Sequence, residues 1–260
     1  MGILDQVKTR AEVVDEVEAL LQDTGNAIWT AAEIGTVLDR CLIEIARYRP
    51  YMVKETLTTT ADSRDLDISS ITDLVGIEKL EYKVDKYPQQ WHNWDLFGDT
   101  LTMRVATAPV ADESVYLYCR KAHHLDADWA AATAYTKGQF VSPTTKNGYR
   151  YECTTAGTSH ADTEPTWGTT AAGTTEDNTA VWTCRAEKSN SLDVTLEGLL
   201  VQLAAIRVVQ SKAVEYVNSV NQGGLRAPVD YQTWAAREWA ELEPRLRALG
   251  TPRGFVEHPQ

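Results

Sequence analysis

Hydrophobic positions near the start of the chain recur every three to four places, and each recurrence opens on the same polar signature. Thr9-Arg-Ala-Glu12 has the S/T-x-x-E form of a capping box, and Val13, Val14, Val17, Leu20 and Leu21 follow at helical spacing. Thr30-Ala-Ala-Glu33 repeats the signature ahead of Ile34, Val37, Leu38, Cys41, Leu42 and Ile45, until Arg49-Pro50 stops the run. The pattern predicts a short helix from Thr9 and a longer one from Thr30. Between Tyr51 and Leu125 the period shortens towards two. The runs LDISSI, IEKLEYKVD, TLTMRVA and SVYLYCRK each read as a strand, separated by turn-forming stretches such as Leu-Phe-Gly-Asp and Ala-Pro-Val-Ala-Asp. They predict one small antiparallel sheet.

After Asn190 the helical period returns. Leu196, Leu199, Leu200, Leu203, Ala204 and Ile206 define a third helix with an N-cap at Ser191 or Asp193, closed by Asn221-Gln-Gly-Gly. A last helix is predicted from about Asp230, with Tyr231, Trp234, Ala235, Leu242, Leu246 and Leu249 in its pattern and a kink or break at Pro244. The stretch from about Asp128 to Ala186 fits neither period. Threonine, glycine and aromatic residues alternate there with hardly an aliphatic side chain, and taking it out joins a strand to a plausible helix start. The expected fold class is therefore α+β. It consists of a helical bundle with a small antiparallel β-sheet (residues 1–126 and 188–260) and an inserted small all-β domain (residues 127–187), placed in a surface loop where insertion costs least.

Composition narrows the classes. Of 260 residues, 43% are hydrophobic, enough for a real core. The 25 basic against 37 acidic residues give a net charge of −12, which argues against a broad phosphate-binding surface. The first residues, MGILDQVKTR, carry charge too early for an export signal, and no transmembrane run is read from the sequence. Cys41, Cys119, Cys153 and Cys184 show no C-x-x-C spacing, so no zinc site is expected and reduced, buried thiols are the default. His123 and His124 are adjacent, so on a strand they point to opposite faces and cannot share one metal. Nucleotide-binding and nucleophile-elbow motifs are lacking, and no pair of carboxylates stands out; no catalytic residue, metal or cofactor is expected.

The 127–187 segment is too small for a large aliphatic core and must rely on aromatics. Trp129-x5-Tyr135-x2-Gly138-x2-Val141, followed by NGYRYEC, resembles the small carbohydrate-binding modules of chitinases and cellulases. GTSHADTEPTW and DNTAVWTC are similar to the variant of that module carried by bacteriophage structural proteins. In that family surface aromatics stack on sugar rings, so the resemblance implies Tyr149, Tyr151 and Trp167 as carbohydrate-binding candidates, with Trp129 and Trp182 in the core. In so small a module the same aromatics can instead be core, and the adjacent aromatic pair of the enzyme-borne modules is missing here.

The remaining segments, from WTAAEIGTVLDRCLIEIARYRPY through VYLYCRKAH to LEGLLVQLAAIRVVQ and DYQTWAAREWAELEPRLRAL, resemble the head-to-tail connector, or adaptor, proteins of tailed bacteriophages. The resemblance implies a homo-oligomeric ring, commonly of twelve copies. Such a ring sits in the virion neck between the portal protein and the next neck or tail protein, is assembled in the host cytoplasm, and lets DNA pass without sequence-specific binding and without any membrane. Ring closure needs two different faces. Trp91, Trp94 and Phe97 in a turn-rich stretch, Trp234 and Trp239 on the last helix, and Phe255 in the Pro- and Gly-containing tail are the candidate partner contacts. The alternative is a host-glycan-binding tail or surface protein whose inserted module is its main function.

Overall fold

The structure is a computed structural model describing residues 8–185, 187–218 and 226–250. It is a mixed α+β fold with four helices and several largely antiparallel sheets. Both predicted capping boxes form. Thr9 caps α1 (Arg10–Leu21), exchanging bonds with Glu12 in both directions, and Thr30 does the same with Glu33 at the start of α2 (Ala31–Tyr48). Val13, Val14 and Val17 of α1 and Ile34, Leu38, Cys41, Leu42 and Ile45 of α2 are buried; Leu20, expected on the inner face, is exposed. A device not legible as a pattern joins the two helices. The Asp23 carboxylate accepts backbone N–H groups from Ala27, Ile28 and Trp29 at 2.8–3.0 Å, which folds the link into a fixed turn.

The chain divides into two compact units, Ala46–His123 and, together, the residues up to Ile45 with His124–Gly250. This division does not follow the expected boundaries at 126/127 and 187/188. The β-rich stretch separates from the helices, while residues 127–185 stay with them.

In the first unit the expected single sheet is two. Strands β1 (Tyr51–Thr58), β2 (Asp65–Asp67), β3 (Leu74–Tyr82), β4 (Trp91–His92), β5 (Trp94–Phe97), β6 (Thr100–Met103) and β7 (Ser114–Lys121) form a four-stranded sheet, β1-β7-β3-β4, and a three-stranded one, β2-β6-β5. All pairings are antiparallel. β7 alternates strictly, burying Val115, Leu117, Cys119 and Lys121, whose ammonium pairs with Glu55 at 2.9 Å. Leu80 and Tyr82 of the larger sheet and Leu66, Leu101 and Met103 of the smaller one share a core with β7. The two sheets bury their apolar side chains in this one shared core.

In the second unit, β8 (Ala127–Asp128), β9 (Ala134–Tyr135), β10 (Phe140–Ser142), β11 (Arg150–Thr155), β12 (Gly157–Thr158), β13 (Thr174–Asp177) and β14 (Ala180–Arg185) precede α3 (Val194–Asn218) and α4 (Arg226–Ala248). The sheet order is β13-β14-β11-β10-β8, with β8 parallel to β10 and the rest antiparallel, beside a β9–β12 ribbon. Its core is Trp129, Val141, Tyr151, Cys153, Ala180, Trp182 and Cys184, every member from this segment. Gly157 is obligatory: a Cβ there would lie 2.3 Å from the Thr179 backbone.

Asp193 caps α3 by accepting the Leu196 N–H at 2.9 Å, as one of the two expected positions. α3 packs on α1 and α4, and Arg207 clamps it to Glu44 of α2. By length and composition Val194–Lys212 reaches the span of a membrane helix; most of it is buried within this fold, which accounts for its apolarity. The expected helix end at 221–224 lies outside the described residues. No break occurs at Pro244: α4 continues through it, with Leu242 and Leu246 on either side buried.

Candidate functional site

Tyr149, Tyr151 and Trp167 do converge on the aromatic core of the 127–185 segment, but in different roles. Tyr151, on β11, has no exposed surface, so it offers no face to a sugar, correcting its place among the stacking candidates. Its ring lies 4.3 Å from Trp167 and its hydroxyl joins two loops, accepting from Asn147 Nδ2 at 2.7 Å and donating to the Gly168 carbonyl at 3.0 Å. Trp167 is half-buried, with its ring also 5.9 Å from Trp182, and its Nε1–H donates to Glu164 at 2.7 Å. Tyr149 is half-buried on the other loop, where its backbone N–H meets Asn147 Oδ1 at 3.1 Å. Of the three, only Tyr149 and Trp167 keep surface for a ligand.

Three polar groups that frame this region escaped the sequence reading. Asp177, 3% exposed, accepts both Trp129 Nε1–H (2.8 Å) and Trp182 Nε1–H (3.0 Å) on one oxygen and the His160 N–H on the other. Glu164 accepts from Trp167, from the Thr144 N–H at 2.9 Å and from the Thr144 hydroxyl. Arg150, 2% exposed, is bidentate on Asp126 (2.7 and 2.8 Å), reaches Glu187 at 3.3 Å, and stacks on Phe140. Asp126 and Glu187 stand where the segment begins and ends, and the two stems are paired: Leu125 bridges Asn190, and the Asp126 N–H donates to the Ser189 carbonyl at 2.9 Å.

The partner-contact candidates also diverge. Trp94 is half-buried against the core of its own sheets, and Trp91, 37% exposed, packs edge-on against Tyr118 at 5.4 Å with the Lys79 ammonium 4.9 Å from its ring. Phe97 is 90% exposed beside Gly98, whose positive φ opens the two-residue loop between β5 and β6; much of the stretch read as turn-rich is a hairpin. Trp234 and Trp239 of α4 are both half-buried, and the Arg207 guanidinium lies 4.6 Å from the Trp239 ring, so Trp239 serves its own fold. Phe255 lies outside the described residues.

Of the other chemistry-bearing groups, all four cysteines are free and buried, and burial pushes the Cys41 and Cys119 thiols up to about 12 and those of Cys153 and Cys184 in the same direction. Cys153 pairs in register with Trp182 and Cys184 with Tyr151, so the two thiols are not cross-strand partners. His123 Nε2 and His124 Nε2 face the carbonyls of Arg49 (2.8 Å) and Lys188 (2.7 Å) respectively. Among the described residues no cluster of three or more His, Cys, Asp or Glu could hold a metal. A cavity of about 300 Å³ between α2 and α3 is lined by Trp29, Val37, Val208 and Lys212, but its Ser211 hydroxyl donates to the Val208 carbonyl at 2.7 Å and not to a base. Compared with known proteins, the sequence matches no family model and no curated protein.

Proposed function

We propose that this protein is a structural component of a tailed-phage virion, a connector ring between the portal and the next neck or tail protein. In this reading helices α1–α4 form a bundle, the β-rich stretch 46–123 is its excursion, and residues 127–187 are an inserted, surface-exposed carbohydrate-binding-like domain. The observation that carries the domain part is the closed stem. Among the described residues the segment's core cluster takes no side chain from outside 129–184, and its two ends are paired through Leu125 and Asn190, as a loop insertion requires. The connector part rests on the likeness of the helical and strand segments to that family. Half-exposed Tyr149 and Trp167 support the second reading, a glycan-binding surface protein in which this segment is the main function.

Mass photometry of the full chain with purified portal separates the two: the connector reading expects a ring-sized complex. Retention of the full chain on insoluble chitin, cellulose or peptidoglycan, lost in Tyr149→Ala and Trp167→Ala, supports the sugar-binding part. No complex with portal and no retention on any of the three polymers overturns both readings.

A further inference from the structure

We infer that Glu164 is a positioning residue for the ligand face of the 127–185 segment, fixing the plane of Trp167 and locking its loop to the loop that carries Tyr149. The inference rests on the sugar-binding part of the proposed function. At a half-exposed position water can satisfy an indole N–H, so a carboxylate is not needed to avoid an orphaned donor. Yet Glu164 takes the Trp167 Nε1–H at 2.7 Å and also both the N–H and the hydroxyl of Thr144, twenty residues earlier in the chain. Holding a flexible glutamate against three donors costs side-chain entropy, and what it secures is geometry. The indole cannot rotate about its outer edge, and residues 143–149 cannot drift from residues 159–168.

A second tie runs parallel to the first, through the Tyr151 hydroxyl between Asn147 and Gly168. Pro165, directly after Glu164, removes backbone freedom from the same loop. Because both carboxylate oxygens are engaged with the protein, Glu164 acts through Trp167 and not by touching a sugar. Stacking on a sugar ring demands a ring plane set in advance, since any freedom left in the aromatic is lost again on binding.

The test uses the full chain with Glu164→Ala, Glu164→Gln and Glu164→Asp, and two readouts. One is retention on insoluble chitin, cellulose and peptidoglycan; the other is the Trp167 indole N–H resonance, assigned with Trp167→Phe. Glu164→Ala is expected to lower retention at least tenfold and to shift the resonance towards the position of a solvent-bonded indole. Glu164→Gln, which keeps an acceptor, should stay within about threefold of wild type. Should Glu164→Ala fail to fold, Glu164→Asp, shorter by one methylene and unable to reach both loops, is expected to give an intermediate loss at unchanged melting temperature. A Trp167 resonance that does not move in the Ala and Asp variants overturns the positioning role. Retention equal to wild type in a folded Ala variant does so too. If the wild type binds none of the three polymers, the sugar-binding reading fails, and the resonance alone still decides whether Glu164 sets the Trp167 ring.

Discussion

Trp129 and Trp182 lie at opposite ends of their segment, yet both indoles donate to a single oxygen of Asp177. That carboxylate tethers two large rings to one acceptor in a core with few aliphatic side chains. Truncating it leaves two buried indole donors without their acceptor, and frees the part-buried His160 N–H as well. Asp177→Ala should therefore cost about 3 kcal/mol or more, seen as early loss of tryptophan fluorescence in a urea titration. A variant as stable as wild type would contradict the assignment.

Glu197 shows the opposite balance. One oxygen accepts from the Lys8 N–H and Asn190 Nδ2, the other has no hydrogen-bond partner among the described residues, and burial raises the pKa of the group. Since the fold holds this proton more tightly than the unfolded chain does, native stability gains as pH falls through the raised value towards that of an ordinary glutamate. Glu197→Gln should raise the melting temperature at pH 7, and the advantage should shrink on acidification.

Among elements, the α1–α2 link titrates with the reverse sign. Three backbone N–H groups hold the Asp23 carboxylate below the usual aspartate range, the Trp29 bond contributing most. Its stabilisation is complete above the unfolded value, about 4, and fades as pH falls through the lower folded one. Asp23→Asn should melt below wild type at pH 7 and converge with it in acid, as circular dichroism melts at several pH values would show. Arg150 ties β11 to both stems, and Arg150→Ala would leave Asp126 as a buried carboxylate without its bidentate partner, a loss of about 3–5 kcal/mol.

What the sequence made legible divides along the same line. Capping boxes and single-faced helices are local, so α1, α2 and the Asp193 cap were readable, as were β3 and β7 from their alternation. β1 was not read because Lys54-Glu55 interrupts its pattern, and β5 was hidden because Trp94, Leu96 and Phe97 put large apolar groups on both faces of one short strand. The aromatic core of 129–184 was readable from composition. Its organising carboxylates were not, since Asp177 and Glu164 meet partners 48 and 20 residues away and no periodicity links them.

For the molecule as a whole, the decisive question is how independent the 127–185 segment is of the helices it stays beside. Among the described residues its core cluster comes from the segment itself, yet Arg10 of α1 bonds the Leu125 carbonyl at 3.1 Å, so the stem is anchored to that helix. Replacing residues 128–186 with a short Gly-Ser linker should preserve helical circular dichroism and one cooperative melt for the remainder, because Leu125, Asn190 and Arg10 stay in place. Loss of cooperativity would mean that the segment and the helices fold as one.

The pairing of Leu125 with Asn190 carries one more implication. On the proposed reading of an inserted segment, these two backbone positions held side by side act as a socket, and what is plugged into it is expected to matter little to the scaffold provided its own termini are adjacent. A fluorescent protein or an epitope grafted at this point tests that reading: display with the helical circular dichroism unchanged supports a socket, and loss of the helices contradicts it.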